Sequence, residues 1–459
     1  MSARPAASSV EPPRTGTIRP ANAVTNRFGP QPSVPPTPPP VRPDVVRPAY
    51  LEEERQAAAA AAAAEAQAAQ AAQGGEAPAA VTTESFAAAD TIPCEGVLEF
   101  HPDGYGFLRA AMVPSSKDVH VAPATIRRYG LRMGDLVTGK ARNNVGGDRN
   151  ATMLSLTAIN GQEVSGPLER PSFVELTATY PVRHMELNST LPTRLADLCA
   201  PVGFGSRGLL MAAPNSGKME LMRDYATAIS TAYPEVKVMV LLIDENPEDV
   251  TLFRDQVSCP VYAATFDQVP EMQFRLVDLV LERAKRIAEM GEDAVILVDS
   301  ISRLAKISNS TSPTAGRTAT GSATPTGLFR AKKLFGVARK LREAGSLTVL
   351  GTLNVVNGNK MDEAICEEFR DTVNMELFLD TNAGGAIPAI NLLTSHTVRA
   401  NLFLSEEQFK SMNQLRSLLA GGNPAEALRQ LVPMVQSTAT NAELLERLPD
   451  WMKIIGRSV

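Results

Sequence analysis

The chain has 459 residues, of which 45 are basic and 50 acidic, for a net charge of −5 with 44% apolar content. That length suits two or three domains, and the negative balance confines any nucleic-acid contact to a local basic patch. No apolar run approaches the ~20 residues of a membrane span, no charged-then-apolar leader opens the chain, and Cys94, Cys199, Cys259 and Cys366 lack metal-site spacing, so reduced thiols in a cytoplasmic protein with no membrane partner are expected.

Residues 1–50 hold thirteen prolines and six arginines against two acids. Such a stretch cannot bury a core and predicts disorder with polyproline II character. Leu51-Glu52-Glu53-Glu54-Arg55 then leads into the eight alanines Ala57–Ala64. Alanine is the best helix former, and the acids sit at the positive end of the helix dipole. A solitary helix is predicted, stopped by Gly74-Gly75, with a linker closing a tail over residues 1–92.

From Glu95 the pattern changes to short alternating strands. Gly96–Phe100, Gly104–Arg109, Asp118–Ala122, Asp135–Arg142 and Thr152–Ile159 predict a small all-β barrel of OB type over residues 93–160. Alternation puts Tyr105, Phe107 and Arg109 on one face, with Leu108 inward and His120 facing away from Val119 and Val121. Aromatic rings with a cation form a platform for unpaired bases, at ~1–3 kcal/mol per base. Between Arg127 and Arg149, six basic residues outnumber two acids, a local positive rim. The string Gly104-Tyr105-Gly106-Phe107-Leu108-Arg109, with Asp118-Val119-His120-Val121 after it, resembles the cold-shock-like RNA-binding domain of the transcription termination factor Rho family. That family has an aromatic residue where His120 stands.

Residues 161–200 form a connector with a short helix near Thr193–Leu198. Gly203-Phe204-Gly205-Ser206-Arg207-Gly208 is a glycine-rich turn feeding a strand. Residues 201–435 then alternate regularly. Strands are predicted at Leu209–Ala213, Val236–Ile243, Val261–Thr265, Ala294–Val298 and Leu347–Leu353. Helices are predicted at Lys218–Thr231, Glu248–Gln256, Glu271–Met290 and Leu328–Glu343. Continuous apolar strands imply burial on both faces, hence a mostly parallel sheet in an α/β P-loop (RecA-like) domain. Ligands bind such sheets at the carboxyl ends of strands.

Three groups stand at those ends. Pro214-Asn215-Ser216-Gly217-Lys218 is a phosphate-binding loop, whose N–H groups and lysine face phosphate oxygens. Asp299, after Ala294–Val298, has the place of an aspartate that orients Mg²⁺. Asp244-Glu245 ends another strand, with Glu245 a candidate base for attacking water. Met219 stands where a hydroxyl usually holds Mg²⁺, and a thioether is a poor ligand for a hard cation.

The same resemblance extends over residues 165–435. Leu242–Thr251 is similar to the family's catalytic-glutamate segment, and Val298–Ala305 to its aspartate segment with the following Arg303. Thr314–Gly321 and Asn357–Glu363 resemble two loops lining an RNA channel, through Arg317 and Lys360. The resemblance implies a homo-oligomeric, hexameric ring with ATP between subunits, single-stranded RNA in the hole, and RNA polymerase as a partner. ATP contacts are expected from Gly203 to Gly208 (Gly203, Phe204, Gly205, Ser206, Arg207, Gly208), from Asn215, Ser216, Gly217, Lys218, Met219 and Glu220, and from Asn246. Asp299 would hold Mg²⁺. Catalytic roles fall to Lys218, Glu245, Asp299, Arg303 and an arginine finger at Arg399.

The chain departs from the family at Met219, at Asn246 (an arginine in the family), and at Asp380–Ala386, where the family is basic. Arg399 aligns as the finger only with one inserted residue. Residues 404–446 read as helical, with a helical C-terminal tail from residue 436. The expected function is an ATP-dependent RNA translocase that ends transcription. The alternative is an RNA-binding scaffold or regulatory subunit that holds nucleotide without efficient turnover.

Overall fold

The computed structural model describes residues 91–142, 150–213, 216–311, 324–355, 359–379, 389–420 and 423–454. The proline-rich stretch and the alanine-rich helix lie outside the described residues, as do Asn215, Arg317 and Asp380–Ala386.

The first sheet is a closed barrel. Its strands are β1 (Thr91–Phe100), β2 (Gly106–Arg109), β3 (Val119–Val121), β4 (Leu136–Arg142), β5 (Ala151–Ile159) and the short β6 (Gln162–Glu163). They run in the order β3-β2-β1-β4-β5-β6, and a parallel pairing of β3 with β5 closes the circle. The inward set Leu98, Leu108, Val121, Val137 and Ile159 is almost wholly buried, as the alternation requires. Gly139 sits where β4 bulges against β5, and a Cβ there would lie 2.2 Å from the Ser155 carbonyl oxygen. The sequence reading did not anticipate α1 (Pro123–Tyr129), which starts on a proline and stops at Gly130 with φ 61°. Its Ile126 and Tyr129 pack on the barrel core.

The second sheet is mostly parallel, in the order β10-β9-β11-β13-β8-β14-β15. The strands are β7 (Ala178–Thr179), β8 (Arg207–Ala212), β9 (Lys237–Glu245), β10 (Val261–Thr265), β11 (Asp293–Asp299), β12 (Arg339–Leu341), β13 (Ser346–Asn354), β14 (Met375–Leu379) and β15 (His396–Thr397). Helices alternate with them: α2 (Leu191–Cys199), α3 (Lys218–Ala232), α4 (Pro247–Gln256), α5 (Pro270–Glu289), α6 (Ile301–Ser310), α7 (Pro325–Gly336) and α8 (Lys360–Arg370). Val295 and Leu297 face one apolar layer while Ile296 and Val298 face the other, so the sheet is buried on both sides.

One predicted helix is corrected. Leu328–Glu343 does not run through: α7 ends at Gly336, and Arg339–Leu341 becomes strand β12, paired with β13 and β7. The backbone of Gly205, with φ 100°, packs against this strand, and a Cβ there would meet Lys340 N at 2.3 Å. Backbone ladder bonds on both sides outweigh helix propensity at Arg339–Leu341.

The C-terminal layer comprises α9 (Glu406–Leu419), α10 (Pro424–Gln436), α11 (Asn441–Glu446) and α12 (Leu448–Ile454). The buried Arg194 of α2 fastens it, donating to Val435 O at 2.8 Å, Thr438 O at 2.5 Å, Thr438 Oγ1 at 2.9 Å and Asn441 Oδ1 at 3.1 Å.

A buried polar network joins the barrel to α5. Asp135 pairs with Arg170 at 2.6 Å, and Glu289 pairs with Arg286 at 2.8 Å and Arg132 at 3.1 Å. Gly134 fits because it lacks a side chain: a Cβ would lie 2.4 Å from Glu282 C, and its φ is 87°.

Candidate functional site

The carboxyl ends of β8, β9 and β11 gather the acids and the lysine that the sequence reading singled out. Gly217, in the left-handed region at φ 82°, turns the chain into α3, whose first residue is Lys218. Lys218 Nζ donates to Asp299 Oδ1 at 2.9 Å. The same oxygen accepts from Thr352 Oγ1 at 2.7 Å, a partner the sequence reading missed because Thr352 lies on β13, far along the chain. Asp299 is fully buried, and its Oδ2 has no hydrogen-bond partner among the described residues.

Glu245 arrives by a bulge. Asp244 takes φ 57°, and the β9–β10 register shifts there, so that Thr265 faces Glu245. Bulges re-aim a side chain beside active sites. Here Glu245 turns inward at 3% exposure, and its Oε2 accepts from Arg303 Nη1. Burial pulls the Arg303 pKa down, but the hydrogen bond and charge of Glu245, with Asp299 and Asp244 behind, raise it above its ordinary value. Ser300 caps α6 by accepting from Arg303 N, which fixes the helix that carries this arginine.

The residues flanking this cluster are placed as follows. Ser216 is buried and donates to Ala213 O at 2.7 Å. Met219 is half-buried and packs against the apolar layer of α3, while Glu220 is exposed and lies 3.5 Å from Arg223. Asn246 is exposed and donates to Asp249 at 2.8 Å, in the first turn of α4.

Two expected contributors lie elsewhere in the chain. The turn Gly203–Gly208 leads into the amino end of β8, the opposite end from Lys218. Its groups build a corner: Gly205 N donates to Thr348 Oγ1 at 2.8 Å, and Arg207 donates to Thr372 O at 2.7 Å and Ala338 O at 2.9 Å. Phe204 is buried beneath the Arg183 guanidinium, 3.7 Å from its ring centre. Arg399 follows β15, whose Thr397 faces Met375 at the amino end of β14. It is exposed, with its guanidinium 4.4 Å from the Tyr180 ring centre. Within one chain neither group meets the Lys218 cluster.

On the barrel, the predicted face carries a ring cluster. Ring centres of Tyr105 and Phe107 lie 5.6 Å apart, those of Tyr105 and His120 5.2 Å, and those of Phe107 and His120 5.9 Å. A fourth ring, His101, stacks on Tyr105 at 4.3 Å, and sequence reading missed it because it lies in the turn after β1. Burial lowers the His120 pKa. Arg109 requires a correction. It is not a free cation on this face: at 6% exposure it donates to Glu99 at 2.6 Å and also to Asp118. Two carboxylates fix it where a phosphate would have to compete. Lys360 is exposed and opens α8 after the cap Asn359, while Arg317 lies outside the described residues.

Among the described residues, no group of three or more His, Cys, Asp and Glu is placed to hold a metal, and no helix is long and apolar enough to cross a membrane.

Residues 94–165 match the RNA-binding domain family of Rho termination factor, and residues 193–397 match the nucleotide-binding domain of the ATP synthase alpha/beta family. Transcription termination factor Rho of Thermotoga maritima is 40% identical over 360 residues, covering 77% of this chain and 84% of its own. That of Bacillus subtilis is 40% identical over 366 residues, covering 78% and 85%. A solved prototypical ATPase from the type III secretion system of pathogenic bacteria superposes with a TM-score of 0.51 at 18% identity, over 66% of this chain and 94% of that one, a likeness of fold. An RNA-binding barrel ahead of a nucleotide-binding α/β domain, with this identity over most of both chains, makes the protein a member of the transcription termination factor Rho family.

Proposed function

We propose that the chain is an RNA-binding, ATP-dependent translocase that terminates transcription. The observation that carries this reading is one chain holding both halves of the task. Lys218, Asp299, Glu245 and Arg303 converge at the carboxyl edge of the sheet, and four rings cluster on the barrel face. The boundaries read from sequence divide this labour: residues 93–160 would grip RNA, 161–200 connect and 201–435 handle ATP, with 436–459 as a C-terminal tail.

Lys218 would hold the β/γ phosphates of ATP, aided by the N–H groups of the loop it closes. Asp299 Oδ2, buried and without a hydrogen-bond partner, fits Mg²⁺ or one of its waters. When bound, the cation neutralises charge on the transferring phosphoryl group. Glu245 would orient and deprotonate the attacking water, and Arg303, donating to its Oε2, would hold that carboxylate in place.

Oligomerisation is supported by apolar residues exposed at opposite edges of the sheet: Leu252, Phe266 and Val269 beside β10, and Tyr180, Val182, Val398 and Leu402 near β15. Two unlike faces that meet head to tail generate a ring when the rotation closes. Arg399 and the Gly203–Gly208 corner, remote from Lys218 in their own chain, would then serve a neighbour's pocket. RNA would pass Lys360 and Arg317 in the hole, and RNA polymerase would be met on the nascent transcript.

The second reading, a nucleotide-holding scaffold with slow turnover, is favoured by Met219, whose thioether packs on the core rather than offering a hydroxyl to the metal. The test is phosphate release with and without pyrimidine-rich single-stranded RNA. RNA-stimulated release abolished by Glu245→Gln supports the motor. Tight ATP binding with no release supports the scaffold. Retention of neither ATP nor RNA refutes both.

A further inference from the structure

The barrel face that bears the rings continues into the seam with the second sheet. In register, Glu99 faces Phe107 and Val97 faces Arg109. Directly opposed residues of an antiparallel pair share a face, so all four side chains stand on one side of the barrel. At one end of that face stand Tyr105, Phe107 and His120, each half-buried. At the other end Val97 and Met112 are buried in an apolar layer shared with α5 and the second sheet.

A three-residue ionic bridge spans the boundary. Glu99 Oε2 accepts from Arg109 Nε at 2.6 Å and from Arg275 Nη2 at 3.0 Å, while Oε1 accepts from Arg275 Nε at 2.9 Å. One carboxylate, 7% exposed, is thus clamped by a guanidinium from each sheet's territory. The Arg109 guanidinium also lies 4.8 Å from the Phe107 ring centre, so whatever stacks on Phe107 adjoins the bridge. Burial pushes the Glu99 pKa up, but hydrogen bonds and charge from Arg275 and Arg109 outweigh it and hold it below its ordinary value.

The far end of the bridge leads to the phosphate pocket. Arg275 stands in the second turn of α5, which follows β10. Gln273, buried just before it, donates to Gln268 O at 3.1 Å and Thr265 O at 3.5 Å. Thr265 faces Glu245 in register, and Phe266 N donates to Glu245 O at 3.3 Å. Covalent and hydrogen-bonded steps therefore run without a gap from Phe107 to the backbone of Glu245.

We propose that Glu99 and Arg275 are positioning residues that relay occupancy of the aromatic barrel face to Glu245. A base stacked on Phe107 orders the Arg109–Glu99 pair. Glu99 then holds Arg275, and the opening turns of α5 fix Thr265–Gln268 against the Glu245 backbone. This relay rests on the reading that RNA stacks on the rings and that Glu245 orients water.

The test uses the full chain and Arg275→Ala, which leaves the Arg109–Glu99 and Arg109–Asp118 pairs in place. Arg275 has a side chain 45% exposed, so its removal spares the core. Hydrogen exchange over residues 265–275 is measured with and without a single-stranded RNA oligomer, a readout independent of turnover. The expected result is protection gained on RNA addition in the wild type and absent in Arg275→Ala. RNA affinity by fluorescence anisotropy should stay within about 2-fold. The RNA concentration for half-maximal phosphate release should rise about 10-fold with basal release unchanged, inside the ~5–150-fold range of coupling between sites. Arg275→Lys, which keeps the charge but not the two-pronged geometry, should recover only part of the response. RNA binding by the wild type with no change over 265–275 overturns the relay alone, as does an undiminished response in Arg275→Ala. Failure of the wild type to bind RNA overturns the functional reading and the relay together.

Discussion

Replacing Arg109 with leucine separates two roles that its position on the aromatic face suggests. In the structure Arg109 is a buried counter-ion. Asp118 is fully buried, accepts from Ser115 N at 2.6 Å, and has no hydrogen-bond partner at Oδ1 among the described residues. Arg109→Leu strands that carboxylate with a single backbone donor. Breaking a buried ion pair costs about 3–5 kcal/mol. Glu99 keeps Arg275 in the variant, which puts the cost near the low end, about 3 kcal/mol, or ~150-fold in the opening equilibrium at about 1.4 kcal/mol per tenfold. The assay is hydrogen exchange over β1–β3 in the full chain, paired with RNA affinity measured across a salt series. The expected outcome is ~150-fold faster exchange with an unchanged salt slope. A surface phosphate contact would instead reduce the slope by about 0.7, the value for one contact on a single strand. Protection within about 1 kcal/mol of wild type, together with that change of slope, would refute the buried role.

Other expectations follow from the same geometry. Phe107→Ala removes one stacking ring at ~1–3 kcal/mol and should weaken single-stranded RNA binding ~5–150-fold in an anisotropy titration, with little change in melting temperature. Met219→Thr should raise the rate of RNA-stimulated phosphate release by restoring a hydroxyl beside the phosphates, at about 1–2 kcal/mol of stability for the half-buried thioether; an unchanged rate would locate the defect elsewhere. His184 gives a pH signature. It pairs with Asp197 at 2.8 Å and stacks on Phe403, whose chain leads into α9. Burial works to lower its pKa, but the charge and hydrogen bond of Asp197, with Glu186, raise it above 6.5. A raised folded value means the stabilisation is complete below pH 6.5 and fades as pH rises through the folded value. Thermal melts should therefore weaken on that alkaline side, and His184→Gln should flatten the dependence; a profile identical to wild type would remove His184 from the account.

Much of the larger sheet is legible in the sequence, because strands buried on both faces are written as unbroken apolar runs. Val261–Thr265 is matched to the residue, and Ala294–Val298 falls short of β11 by one residue at each end. The barrel strands were also visible, since one-sided burial imposes alternation. What stayed hidden depends on partners distant in the chain. β12 carries helix-compatible residues and becomes a strand only because β7 and β13 offer backbone bonds on either side. β14 has the composition of an ordinary apolar run, and it is the vacant place beside β8 that makes it a strand. At the site, Lys218, Glu245 and Asp299 were readable because each follows or opens a recognisable element, and Arg303 through the resemblance of Val298–Ala305 to the family's aspartate segment. Thr352, His101 and Glu99 were not, because nothing local to them signals the atom they touch. Arg109 was placed on the correct face with the wrong occupation, since alternation fixes direction but not who waits there.

The contact between Lys218 and Asp299 makes the pocket a self-neutralised lock. While it stands, a stray anion meets a lysine already satisfied, and a lone cation meets a carboxylate already shared. On the proposed reading, a metal–triphosphate complex would bring both opposite charges at once, so that Lys218 and Asp299 would each exchange an internal counterpart for an external one and neither would be stranded. The lock would thereby favour the loaded form of the nucleotide over its separate components, before any water is activated.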